Sequence, residues 1–177
     1  MRIVSRRILL ALLVALVAMA GPAFAKGGGA VTGFGAGAFI PNGDLSEFNS
    51  TSYFVSSRSI FAEKMFGGRA SAYYGDSTGK DGAAGGRVYG FDIAGLLKFG
   101  GDTFFYVYAG AGYGSLTFTM PLKTPGSSFR TSGHDWCYTG GIGISIKRRV
   151  YLEASYVSYQ TGPDTTEFIP VVIGFQF

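Results

Sequence analysis

Beyond residue 30 the chain sorts its side chains by alternate position in segments of about ten residues. Between Asp135 and Lys147 one phase reads Trp136, Tyr138, Gly140, Ile142, Ile144, Ile146. The other reads Asp135, Cys137, Thr139, Gly141, Gly143, Ser145, Lys147. A period of two belongs to a strand, whose successive side chains point to opposite faces. The last residues behave alike, with Ile169, Val171, Ile173, Phe175 and Phe177 set against Phe168, Pro170, Val172, Gly174 and Gln176. Segments 88–99, 150–159 and 66–74 repeat the pattern. Segments 31–40 and 104–118 place glycines in one phase (Gly110, Gly112 and Gly114 in the second of them), and 52–62 is the weakest alternation. The pattern predicts eight strands, and no run of 18 apolar residues follows Lys26 to suggest a spanning helix.

The links between these segments alternate in length. Residues 41–51, 76–86, 120–134 and 161–167 form longer polar links, whereas 63–65, 100–102 and 147–149 form short ones. Antiparallel strands running up and down produce such a succession when the long links gather at one end and the short ones at the other. The apolar phase is uncharged and tipped by aromatics such as Trp136, Tyr89, Tyr74 and Phe99, while the opposite phase holds Arg69, Asp92, Lys98 and Glu153. The expected fold class is therefore all-β, an eight-stranded antiparallel up-and-down transmembrane β-barrel with its apolar phase toward lipid. Eight strands leave an interior just wide enough to be filled by side chains, which excludes a wide aqueous pore. Inward Gly35, Gly37, Gly110, Gly112, Gly141 and Gly143 would make room there for larger inward neighbours such as Arg69, Glu153 and Tyr73. Buried charge is tolerated only when paired, so Arg58, Arg69, Asp92 and Glu153 are expected to form one inward network, with a place at a solvated rim as the alternative for Arg58 and Lys98. A soluble lipocalin-like barrel holding an apolar ligand would reverse the faces, so the direction of Ile142, Ile144 and Ile146 separates the two readings.

Composition adds an address. Arg2, Arg6 and Arg7 precede an uncharged apolar run from Ile8 to Ala20, broken by Gly21-Pro22 ahead of Ala23-Phe24-Ala25. This is the layout of a secretory signal cleaved after an A-x-A site marked by Ala23 and Ala25. The expected organisation is a signal peptide over 1–25 and a barrel domain over 26–177. Removing the signal takes three of the 15 basic residues and leaves 12 against 11 acidic ones, a formal +1 in place of +4. A nucleic-acid partner loses its support with them. The single cysteine, Cys137, excludes a disulfide framework, and no spacing of ligating residues calls for a metal or another cofactor. His134, the only histidine, stands beside Asp135 and near Ser132. Neighbours along a strand point apart, so His134 and Asp135 are poorly placed to pair as a catalytic unit.

The opening GFGAGAFIPNGDLSEF (Gly33 to Phe48), the central YVYAGAGYG (Tyr106 to Gly114) and the closing VVIGFQF (Val171 to Phe177) make the chain resemble a particular group. It is similar to the small outer-membrane β-barrel proteins of Gram-negative bacteria, the OmpA/OmpX-like, porin-like superfamily. The resemblance implies residence in the outer membrane among lipid and lipopolysaccharide. It also implies an assembly signal for the barrel-assembly machinery in the terminal aromatics Phe175 and Phe177. It covers nearly the whole chain after the signal, and it specifies architecture more than activity, because such barrels include adhesins, anchors and enzymes. With no peptidoglycan-binding domain after Phe177, a cell-wall tether is not expected. The leading expectation is a non-enzymatic protein with a structural, envelope-stability or surface-binding role, meeting any extracellular ligand at 41–51, 76–86, 120–134 and 161–167. The alternative is a lipid-A-modifying barrel, an acyl hydrolase or transferase using His134, although the His-x-Ser-Asn motif of the lipid A deacylases has no counterpart here.

Overall fold

A computed structural model describes residues 30–43, 45–80, 85–121, 128–161 and 164–177. The signal expected over 1–25, with Ala23 and Ala25, lies outside the described residues. Eight long strands make the wall: β1 Val31–Asn42, β2 Ser52–Glu63, β3 Phe66–Gly79, β4 Gly86–Gly100, β5 Phe104–Pro121, β6 Ser128–Ile146, β7 Val150–Thr161 and β8 Asp164–Gln176. Each pairs antiparallel with the next in sequence, and β1 pairs with β8 from Gly33↔Gln176 to Asn42↔Glu167, which closes the cylinder. The terminal residue completes the seam, since Phe177 and Thr32 exchange both backbone hydrogen bonds at 2.8 and 3.1 Å. Closure leaves no unpaired edge in the wall, the condition a sheet must meet to cross hydrocarbon. Among the described residues no helix is long and apolar enough to cross a membrane.

The alternation has become two surfaces. Trp136, Tyr138, Ile142, Ile173 and Phe175 lie 61–75% exposed on the outer face, far beyond what scattered surface apolars show. Ile142 and Ile146 face outward, Ile144 lies between them in the same phase, and the inward positions between them hold Gly143 and the fully buried Ser145. A contiguous apolar belt around a closed barrel is at rest only against lipid. The reversed, lipocalin-like arrangement is ruled out by the same directions.

The interior is stacked in three layers. Near the short turns Ile60, Ala94, Leu96 and Phe104 form an apolar floor. Near the long links Phe39, Phe54, Val88, Leu116, Phe118, Val157, Phe168 and Val172 form an apolar ceiling. Phe39 stacks on Phe168 at 4.7 Å between ring centroids within it. Charged and hydroxyl side chains lie between the two.

The long links contain more strand than the sequence pattern predicts. Strands β5 and β6 stay paired up to Pro121↔Ser128, so Met120 to Pro121 and Ser128 to His134 belong to the wall, not to a loop. Likewise β3 runs to Gly79 and β8 begins at Asp164, while Leu45–Phe48 makes a single helical turn, α1. Asn49–Ser50 adds a two-residue strand beside β3. The reason is physical: where strands rise beyond the lipid belt, water bathes both faces and selection for alternating apolar residues disappears. Segments 81–84, 122–127 and 162–163 of those links, like residue 44, lie outside the described residues.

Candidate functional site

Glu153 on β7 is the centre of the middle layer. One carboxylate oxygen, Oε2, accepts from Arg58 Nη1 at 2.6 Å and from the Tyr106 hydroxyl at 2.7 Å. The other, Oε1, accepts from Arg69 Nη2 at 2.6 Å and from the Tyr108 hydroxyl at 3.1 Å. A carboxylate has about four lone-pair sites, and here all are used. Arg69 Nη1 also donates to Asp92 Oδ1, whose partner oxygen accepts from Ser71 at 2.6 Å. Arg58 Nη2 donates to Gln176 at 2.9 Å, and Gln176 in turn donates to Ser145. Arg58, Arg69, Asp92 and Glu153 are therefore brought together, all at most 4% exposed, and their formal charges cancel.

Aromatic rings complete the cage. The Arg58 guanidinium carbon lies 3.4 Å from the centroid of Tyr151, and that of Arg69 lies 4.3 Å from Tyr108. Such contacts add to a desolvated cation what a single carboxylate cannot. Tyr106 is paired across β5 and β6 with Gly143, and Tyr108 with Gly141. A Cβ on Gly141 would stand 2.7 Å from the Tyr108 hydroxyl, and one on Gly143 would collide with the Tyr106 ring. The inward glycines are thus the floor on which tyrosines lie, and the space they clear is taken chiefly by tyrosines.

Sequence reasoning missed Tyr106, Tyr108, Tyr151, Ser71 and Gln176 as members of this cluster. The available signal was phase alone: each falls at an inward alternate position facing a glycine or a charge. Lys98 belongs to the inward phase near the short-turn mouth, where its ammonium sits 4.8 Å over the Phe104 ring. Above the ion cluster the Tyr73 and Tyr159 hydroxyls hydrogen-bond at 2.5 Å, and Cys137 Sγ lies 3.5 Å from Tyr73. Cys137 is 1% exposed, a small filler under the ceiling. A residual cavity of about 10 Å³ touches Arg69, Asp92, Tyr73, Thr139 and Glu153. That is about the space one water needs, and the buried Arg69 Nε beside it has no hydrogen-bond partner among the described residues.

The remaining candidates lie on the outside. His134 is exposed on the outer face, stacked on Tyr113 at 6.5 Å, and Tyr113 meets Trp136 edge-on at 5.4 Å. Asp135 turns away from it and accepts the Trp136 N–H at 2.8 Å. Register sets Ser115 directly opposite His134, but no hydrogen bond joins them. Among the described residues no group of His, Cys, Asp or Glu could hold a metal ion. Phe175 and Phe177 are exposed at the seam, with Phe177 6.1 Å from the Phe34 ring.

A closed eight-stranded barrel with an apolar exterior and a side-chain-filled lumen defines a class, and solved structures of that class are what this chain is similar to. It overlays the N-terminal barrel domain of OprF from Pseudomonas aeruginosa with a TM-score of 0.52 and 15% identity, over 86% of this chain and all of that one (100%). For Ail, the attachment invasion locus protein of Yersinia pestis, the values are 0.51 and 16%, over 84% and 96%. For the outer membrane enzyme PagL they are 0.56 and 15%, over 84% and 99%. Compared with protein-family models and with curated proteins, the sequence matches none of them. The chain has the fold of the small eight-stranded outer-membrane β-barrels. Barrels with and without enzymatic activity share that fold, so activity has to be argued from the side chains.

Proposed function

We propose that this protein is an integral outer-membrane barrel, exported by its N-terminal signal, that acts without catalysis as a structural or surface-binding element of the cell envelope. The observation that carries the reading is the filled lumen. Among the described residues an ionic layer with its charges cancelled lies between two apolar layers, which fills the lumen with a rigid plug. Binding then falls to the paired strand ends and links beyond the ceiling, since exposed connections on a rigid scaffold are where such barrels carry recognition. Ail was solved in complex with the heparin analogue sucrose octasulfate, which supports extracellular ligand capture on this fold. Outer-membrane lipid and lipopolysaccharide are the surroundings, and the terminal Phe175 and Phe177 are proposed as the signal read by the barrel-assembly machinery. The test is fractionation with heat-modifiable gel migration: recovery in the outer membrane, with a mobility shift on boiling, is expected. Recovery as a soluble periplasmic protein overturns the reading.

One observation favours a second reading, a lipid-A-modifying enzyme. Ser115, itself buried, and the exposed His134 stand opposite each other in the outward phase just beyond the lipid belt, and the fold relatives include an enzyme. Among the described residues no carboxylate orients the imidazole from that face, which leaves the pair short of a working triad. Mass spectrometry of lipid A from a strain lacking the protein decides between them: a spectrum altered in acyl number supports the enzyme, and an unchanged one rejects it.

A further inference from the structure

Among the described residues three non-glycine positions have positive φ: Lys64 at 57°, Lys147 at 48° and Arg148 at 52°. All three are cations, and all lie in turns at the end of the barrel where β1 begins at Val31 and β8 ends at Gln176. The left-handed region is glycine's and asparagine's, because a Cβ there crowds the following carbonyl. In a chain with 29 glycines the absence of glycine at these tips is informative. The second hairpin is the clearer. Arg149 N donates to Ile146 O at 2.9 Å across Lys147-Arg148, a two-residue turn with both central φ angles positive, where Asn-Gly is the favoured pair. Lys64 opens the two-residue loop between Glu63 and Phe66, at the position glycine usually takes. Arg149 follows in the same turn, and Lys64, Lys147, Arg148 and Arg149 are all exposed. Among the described residues the one ion pair on this end, Arg148 Nε to Asp102 at 3.6 Å, is solvent-open and engages a single nitrogen.

Depth identifies what these cations face. Phe66 and Ile146 point outward within two residues of them and are exposed in the apolar belt, as are Phe99 and Phe105 on the neighbouring turn. The charges therefore stand one residue or two past the hydrocarbon edge, at the level of phospholipid phosphates. The opposite end differs in sign: of its described side chains Glu47, Asp76, Asp135 and Glu167 are acidic, against Lys80 and Arg87. We propose that the short-turn end is a binding surface for anionic phospholipid headgroups, gripped by Lys64, Lys147, Arg148 and Arg149. This rests on the reading of the protein as a membrane-inserted barrel. The turns accept an unfavourable backbone to hold cations where the leaflet's negative charge lies, which fixes the barrel's depth and tilt from one side.

The test uses the protein purified from outer membranes and placed in phosphatidylcholine vesicles containing a minor fraction of phosphatidylglycerol. Spin-labelled phosphatidylglycerol and spin-labelled phosphatidylcholine report which lipid is held in the motionally restricted shell. An enrichment of phosphatidylglycerol of about fivefold is expected, the attraction of about one surface cation to an anionic leaflet. It should fall on adding salt and fall in the triple variant Lys64→Gly, Lys147→Asn, Arg148→Gly, which leaves Arg149 alone of the four cations. That variant carries the residues the turns prefer, so loss of folding cannot imitate loss of binding. Equal shells for both lipids, or a variant as selective as the parent, overturn the proposal. Sedimentation with purified cell-wall sacculi that is lost in the variant, without lipid selectivity, assigns the surface to peptidoglycan and also overturns it. Failure to insert even into pure phosphatidylcholine defeats the barrel reading itself, a distinct result.

Discussion

Glu153 shows how one buried carboxylate organises a lumen. Its two oxygens take four hydrogen bonds from Arg58, Arg69, Tyr106 and Tyr108. Glu153→Ala leaves the Arg58 guanidinium without a carboxylate in a dry interior while Arg69 keeps Asp92, and removing one partner of a buried pair costs about 3–5 kcal/mol. Replacing Arg69 and Asp92 together, as Arg69→Met with Asp92→Leu, deletes a cation and an anion at once. It leaves the Arg58–Glu153 pair intact. The double variant is expected to lose less stability than the single Glu153 change, read as urea midpoints in vesicles. If the double variant proves the weaker, the two ion pairs do not act as one neutral cluster. Arg69, Asp92 and Glu153 were legible in the sequence as charges in the phase opposite the apolar one, whereas Arg58, in the weakly alternating segment 52–62, was open between the lumen and a solvated rim. The tyrosines were not legible, since an inward Tyr and an outward girdle Tyr look alike until the register sets one of them over a glycine.

At the level of strands and turns, the ring-over-glycine pairs make a prediction that composition alone does not. Gly143 lies beneath Tyr106 on the inner face, whereas Gly140 points outward, where a Cβ finds its nearest contact at 3.6 Å. Gly143→Val displaces the Tyr106 ring and, through its hydroxyl, one of the four bonds to Glu153. Overpacking of this kind costs about 1–3 kcal/mol. Gly140→Val adds a branched side chain to the lipid face of the same strand and is expected to leave the unfolding midpoint unchanged or higher. The turn between β6 and β7 is expected to respond in the opposite sense. A non-glycine residue in the left-handed region costs about 1–2 kcal/mol, so Lys147→Asn with Arg148→Gly should raise the urea midpoint even as lipid selectivity falls. Strand existence was readable wherever lipid lies against one face, as along 135–147. Strand length was not readable beyond the belt, where Ser128 to His134 continue β6 in water on both sides and the alternation that marks a strand has no cause.

The whole molecule is a cylinder sealed twice. Floor and ceiling are both apolar, so an ion entering from either end meets a dehydrated constriction before it reaches the charged middle. Removing the network alone, as Arg58→Ala with Arg69→Ala and Glu153→Ala, is therefore expected to leave conductance in a planar bilayer at the parent's level, because both seals survive. Opening the ceiling alone, as Phe39→Ala with Phe168→Ala, removes a stacked pair but exposes a layer whose cations and anions are already tied to each other. That too is expected to stay closed. Adding Leu96→Ala and Phe104→Ala to the network and ceiling changes opens a gap in every layer, and discrete conductance steps are expected then. Steps already present when only Arg58, Arg69 and Glu153 are replaced would show that the ionic layer is the barrier and that floor and ceiling admit water. A parent protein that conducts would go further and remove the filled lumen as the argument for a structural or binding role. In that case the neutral cluster around Glu153 would have to be read as the lining of a transport path.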